Sequence, residues 1–117
     1  MSERTQLSTR AEESADLTLY WNWSGRYVGY RLSDGLFSYD GRQVGYFGEG
    51  DEVYGCDGDY MGEVRGGNRL ITNLKKKAWT RGSLIPRCLK SAPGHRDVNA
   101  KEMLAGYQDF PVPLRHA

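Results

Sequence analysis

One phrase is repeated between residues 20 and 80, and that repetition constrains the fold more than any other feature of the chain. Tyr20-Trp21-Asn22-Trp23-Ser24-Gly25-Arg26-Tyr27-Val28-Gly29-Tyr30 is followed by Leu36-Phe37-Ser38-Tyr39-Asp40-Gly41-Arg42-Gln43-Val44-Gly45-Tyr46 and then by Val53-Tyr54-Gly55-Cys56-Asp57-Gly58-Asp59-Tyr60-Met61-Gly62-Glu63. A reduced fourth copy opens at Leu70-Ile71-Thr72-Asn73. The second copy starts sixteen positions after the first, and the next two starts are each seventeen further on. Such a fixed period marks small units that bury their apolar faces against one another.

Each copy has the grammar of a β-hairpin: an apolar run, a Ser-Gly or Asp-Gly pair, then an alternating run closing on Val-Gly-Tyr or its equivalent. A type I′ turn needs positive φ at both central residues, where glycine carries no Cβ penalty. Ser24-Gly25, Asp40-Gly41 and Asp57-Gly58 are therefore the expected tips. With two-residue turns, the antiparallel register sets Trp21 opposite Val28, Phe37 opposite Val44, Tyr54 opposite Met61 and Ile71 opposite Ala78, an aromatic or branched side chain meeting a smaller one each time. These eight residues form the expected repeat core. On the other face Tyr20, Leu36 and Val53 oppose Gly29, Gly45 and Gly62. Glycine at one repeat position implies a bend or the close approach of a neighbouring backbone or ring. In the fourth copy Leu74-Lys75 replaces Asp-Gly and Trp79 replaces the glycine, as suits a terminal repeat.

An open row of four hairpins would leave an unpaired edge at each end, which a closed ring avoids. The repeated Asp-Gly-Arg-x-Val-Gly-Tyr phrase, its four copies and the closing Asp109-Phe110-Pro111-Val112-Pro113 resemble the bacterial four-fold beta-flower domain. The resemblance runs over residues 17 to 113. It implies an all-β fold of four hairpins in a closed pseudo-four-fold ring, and it implies no activity, because the family has none assigned.

The totals agree with one small domain: 117 residues, 38% hydrophobic, mean hydropathy −0.68. With neither a membrane-length apolar run nor a signal peptide, a cytoplasmic protein is expected. Residues 1–16 are polar and lack periodicity, so they read as a disordered tail. The four-repeat domain is placed at 17–85, and a proline-containing tail packed on it at 86–117. A short helix is expected from Ala100, capped by Asn99 with Glu102 in the capping-box position and ended by Gly106. Charge is segregated: residues 17–69 hold eight acids and five arginines, whereas residues 70–117 hold nine basic residues and three acids.

Catalytic chemistry finds little to stand on. His95 and His116 have no orienting partner near in sequence for a nucleophile triad, and Cys56, Cys88 and the two histidines lack metal-ligand spacing. Asp57, Asp59 and Glu63 match a calcium loop less well than they match a turn with solvated charges. Neither an enzyme, a metal nor a cofactor is expected. Two binding readings remain. The stronger is an interaction or assembly module that associates with itself or another protein, with Trp21, Trp23, Tyr27, Tyr30, Phe47 and Tyr60 crowding its ring; a carbohydrate or peptide site on that aromatic rim is a minor variant. The weaker is single-stranded nucleic acid or another polyanion, bound by Lys75, Lys76, Lys77, Trp79 and Arg81, which mix positive charge with a ring.

Overall fold

The computed structural model describes residues 17–89 and 95–112. Residues 1–16, expected to form a disordered tail, lie outside the described residues, as do 90–94 and 113–117. Eight strands follow one another: β1 (Thr18–Asn22), β2 (Tyr27–Leu32), β3 (Gly35–Ser38), β4 (Gln43–Phe47), β5 (Glu52–Gly55), β6 (Tyr60–Arg65), β7 (Arg69–Asn73) and, after a long excursion, β8 (Tyr107–Asp109). Each strand pairs antiparallel with the next. In such a meander the first and seventh strands run the same way, so the ring can close only in parallel, and it does: Trp21 pairs with Arg69 and Asn22 with Leu70. The result is a closed seven-strand barrel, with no α-helix among the described residues.

The hairpin tips fall where the sequence puts them, but the turns differ from the expected two-residue type. Gly25, Gly41 and Gly58 donate to Asn22, Ser38 and Gly55 at 3.0, 2.9 and 2.8 Å, while those same three residues donate to the carbonyls of Arg26, Arg42 and Asp59. This is a three-residue loop ending in a left-handed glycine, with φ of 94°, 86° and 94°. Asp40 and Asp57 brace their turns by accepting from the amides of Arg42 and Asp59 at 3.2 and 3.0 Å.

The changed turn and a bulge beyond it overturn part of the expected register. Leu36 does oppose Gly45, Val53 opposes Gly62 and Tyr20 opposes Gly29. One step nearer the tip, however, Phe37 pairs with Gln43, Tyr54 with Tyr60 and Trp21 with Tyr27, leaving Val44, Met61 and Val28 as the extra residues of three equivalent bulges. A bulge re-aims its side chain. Val28 thereby joins Tyr20, Leu36, Val53, Leu70, Phe47 and Phe110 in the buried cluster, with Val44 and Met61 packed against it. Phe37, Tyr54 and Ile71, one position along from Leu36, Val53 and Leu70, point to the opposite side of the barrel wall and are buried there. The expected single core is thus two layers, split by the wall. The remaining pair, Ile71 with Ala78, does not form: Ile71 pairs with Asp109 of β8, and Ala78 is exposed.

The repeated glycines let the barrel close tightly. A Cβ on Gly29 or Gly45 would lie 2.0 or 2.4 Å from the carbonyl oxygen of Phe37 or Tyr54, the corresponding residues of the next hairpin. On Gly62 it would meet the Phe110 ring at 2.5 Å and the Ile71 oxygen at 2.8 Å.

Candidate interaction surface

Residues 74–89 and 95–106 leave the end of β7 as a 3-10 turn (Leu74–Lys76) and then pass the hairpin tips as a strap, in reverse order. The same contact recurs at each tip. Arg81, Leu89 and Val98 donate their amides to the carbonyls of Gly58, Gly41 and Gly25 at 2.7, 2.8 and 2.7 Å. Two residues past those glycines, Tyr60 and Gln43 donate back to Trp79 and Arg87, and Tyr27 donates to the Asp97 carboxylate at 2.8 Å. These tips therefore need glycine twice over, since a Cβ would strike the strap carbonyl of Arg81, Leu89 or Val98 at 2.4 Å or less.

The helix expected from Ala100 to Gly106 is not formed. Its backbone groups are engaged across the molecule instead: Lys101 donates to the Trp23 carbonyl at 2.9 Å, and Glu102 and Asn99 accept from the Trp23 indole and from Arg69. A helix of under two turns cannot outbid such contacts. Beyond a turn at Gly106 the chain pairs with β7 as β8, the Asp109 carboxylate accepts from Trp23, and Phe110 enters the barrel interior at 1% exposure.

The strap removes the aromatic rim expected from the sequence. Trp23, Tyr27, Tyr30, Phe47 and Tyr60 are buried and Trp21 is half-buried, its indole donating to the Arg96 carbonyl at 2.7 Å. The exposed large apolar side chains among the described residues are Leu74, Trp79, Ile85, Val98 and Met103, all on the strap, with Ile85 at 90%.

Of the five residues expected to bind polyanions, one is half-buried and four are exposed. Lys76 turns inward to Glu63 at 2.8 Å and Glu52 at 3.1 Å, facing cross-strand partners on β6 and β5, and those bonds hold its ammonium above its ordinary pKa. Tyr60 donates to the same Glu63 carboxylate and accepts from the Asn73 amide, and burial pushes its hydroxyl far above the usual tyrosine range. Arg81 lies 5.4 Å from the Tyr54 ring centre. Lys75, Lys77, Trp79 and Arg81 remain exposed. Cys56 and Cys88 are free thiols; burial raises the pKa of Cys56, whose sulfur lies 3.7 Å from the Gln43 oxygen, so it is a packed thiol rather than an activated one.

Between Gly82 and Arg87 the strap is pinned to the barrel at three points, one of them the Leu84 amide, which donates to the Cys56 carbonyl at 2.8 Å. Tyr46 holds Gly82 at 2.5 Å, and Gln43 binds the Arg87 backbone on both sides, accepting from its amide and donating its own amide to its carbonyl. Beside this stretch lies an open groove of about 400 Å³, bordered by Asp34, Tyr46, Phe47, Leu84, Ile85 and Arg87. Sequence reasoning missed this groove and Ile85, although an isoleucine beside Pro86 in an otherwise polar stretch was the available signal.

The whole of this architecture falls within one matched span: the model of the 4-fold beta flower protein family matches residues 18–113. The chain belongs to that family. No match was found among the curated proteins or the solved structures. The beta flower match reaches to Pro113 and so takes in the strap as well as the barrel. No helix among the described residues is long and apolar enough to cross a membrane.

Proposed function

We propose that this beta flower is a non-enzymatic interaction module that associates with itself through its strap. The observation that carries this reading is that the barrel buries its own large apolar side chains while those left exposed all sit on the strap. Apolar side chains carried on an element held by backbone bonds are exposed without cost to that element's attachment, and so are available to a partner. The pairs β1–β2, β3–β4, β5–β6 and β7–β8 read as four hairpins in a pseudo-four-fold ring, the fourth tip being drawn out into the strap. In that arrangement three tips are spent on holding the strap and the strap is the working surface. The test is sedimentation of the full chain over a concentration series: a mass rising above 13.2 kDa is expected, and a monomer throughout would refute self-association.

The lesser reading is polyanion binding by Lys75, Lys77 and Trp79, favoured by their joint exposure beside the inward-turned Lys76. It makes a separate prediction, given below.

A further inference from the structure

We infer that Ile85 is a knob and the groove it borders a hole, and that two copies dock by a two-fold exchange in which each Ile85 fills the other's groove. The inference rests on the self-association reading and names its surface. Three observations carry it.

Among the described residues Ile85 is the most exposed of the large apolar ones, at 90%, and it stands at the rim of the groove. It precedes Pro86, which confines it to extended backbone, and the strap is pinned on either side, at Gly82 by Tyr46 and at Arg87 by Gln43. A side chain presented on a stiffened backbone loses little freedom on docking. It is held out, at low entropic cost, for a partner.

The groove of about 400 Å³ is larger than one isoleucine side chain and has apolar walls in Tyr46, Phe47 and Leu84. Because knob and hole adjoin, a single two-fold axis satisfies both at once, which is the geometry of an isologous contact.

The groove's border also carries both signs of charge. Asp34, 3.6 Å from Arg31 but with its side chain still 83% exposed, stands on the turn between β2 and β3, and Arg87 stands on the strap across from it. A two-fold axis between the copies sets the second copy's Arg87 against Asp34 and its Asp34 against Arg87, so the surface is complementary to itself. The overall charge of +1 puts no long-range repulsion between copies. The contact is small beside the roughly 800 Å² per partner of a stable complex, so the association is reversible and concentration-dependent.

Sedimentation of the full chain from about 10 μM to about 1 mM decides the matter. Wild type should move from monomer toward dimer mass. Ile85→Asp should weaken association at least about tenfold with unchanged melting, because Ile85 supports nothing in its own fold. Asp34→Arg should weaken it to a similar degree, and Asp34→Arg with Arg87→Asp should restore it, by re-forming the pair with its signs exchanged. Self-association that ignores Ile85→Asp would overturn the knob while leaving the assembly reading intact. A double variant no better than Asp34→Arg would overturn the two-fold pairing. A wild-type monomer at every concentration would overturn both the knob and the assembly reading.

Discussion

Phe110 is the residue by which the strap enters the barrel, so replacing it with alanine measures how far the two are one structure. Its ring is 1% exposed and packs in the cluster of Tyr20, Leu36, Val53 and Leu70. Its carbonyl accepts from the Asn22 side chain at 3.1 Å, which ties the entry point to β1. An aromatic side chain buries roughly 150 to 250 Å², and at about 25 cal/mol per Å² the lost burial sets the scale at several kcal/mol. Residual collapse around the cavity brings the expected cost of Phe110→Ala to about 3 to 5 kcal/mol. A domain of this size has about 5 to 15 kcal/mol to lose, so the melting temperature should fall by more than about 12 °C.

Gly62 sharpens the test. An alanine there would place its Cβ 2.5 Å from the Phe110 ring and 2.8 Å from the Ile71 oxygen. Gly62→Ala should therefore be costly in the wild type and less so in the Phe110→Ala background, where only the carbonyl remains in the way. Urea titrations of the four proteins, followed by tryptophan fluorescence, should give a coupling energy of about 1 to 2 kcal/mol. Additive effects, or a Phe110→Ala cost below about 1 kcal/mol, would show that the ring does not occupy the barrel interior.

Three further outcomes are expected. Lys76→Met should cost about 1 to 3 kcal/mol in urea titration, because it leaves Glu52 and Glu63 facing each other with no cation, and adding Glu63→Gln should recover part of the loss. Burial raises the Tyr27 hydroxyl from its ordinary 10.0 to about 12 and Tyr60 further, so their contribution to stability is complete below the unfolded-state value of about 10 and is lost as pH rises above it. Tyrosinate absorbance should show alkaline unfolding that Tyr60→Phe moves to higher pH, and an unchanged midpoint would refute the assignment. If the exposed lysines bind single strands, Lys75→Ala with Lys77→Ala should flatten the salt dependence of affinity by nearly two units, whereas no binding at low salt removes that reading.

The repeat period, the glycine-bearing tips and the pairing of Leu36 with Gly45 were legible because each depends on local chemistry: a positive φ, an alternation, a close approach. The choice of inner layer was not. It turns on one extra residue per hairpin, and nothing in Val44, Val28 or Met61 as residue types distinguishes a bulge from a regular pair, since all three are apolar either way. The fourth repeat was misread for a different reason. Ile71 seeks an antiparallel partner, and the nearest one in sequence is Ala78, but the residue it finds is Asp109, beyond an excursion that no local rule anticipates. The helix expected from Asn99 failed on the same ground, because the strength of its caps is a local quantity and the competing bonds from Trp23 and Arg69 are not. The groove is the most remote of these features: it needs a strand near residue 45 and a strap near residue 85, far apart in sequence, brought side by side by bonds at Gly82, Leu84 and Arg87.

The segregation of charge along the chain has its physical explanation in the strap. Nine basic residues against three acids after residue 69, interleaved with rings, is the pattern expected of a groove for single strands. Here Lys76 is turned inward, and three exposed strap cations stand over rings of the barrel. Lys76 meets two carboxylates of the acidic barrel, Arg81 lies over Tyr54, Arg87 over Phe37 at 5.5 Å and Lys101 over Trp23 at 5.2 Å, so the rings that line the outer wall are capped by strap cations. Each such contact is worth about 0.5 to 2 kcal/mol according to how far it is withdrawn from water. Together with the backbone bonds at Gly25, Gly41 and Gly58 they hold an extended segment that contributes few buried side chains of its own before Phe110. A basic strap on an acidic, aromatic barrel is a single chain's version of the recognition its composition suggests, and it leaves exposed for partners Lys75, Lys77 and the stretch of strap that carries Ile85.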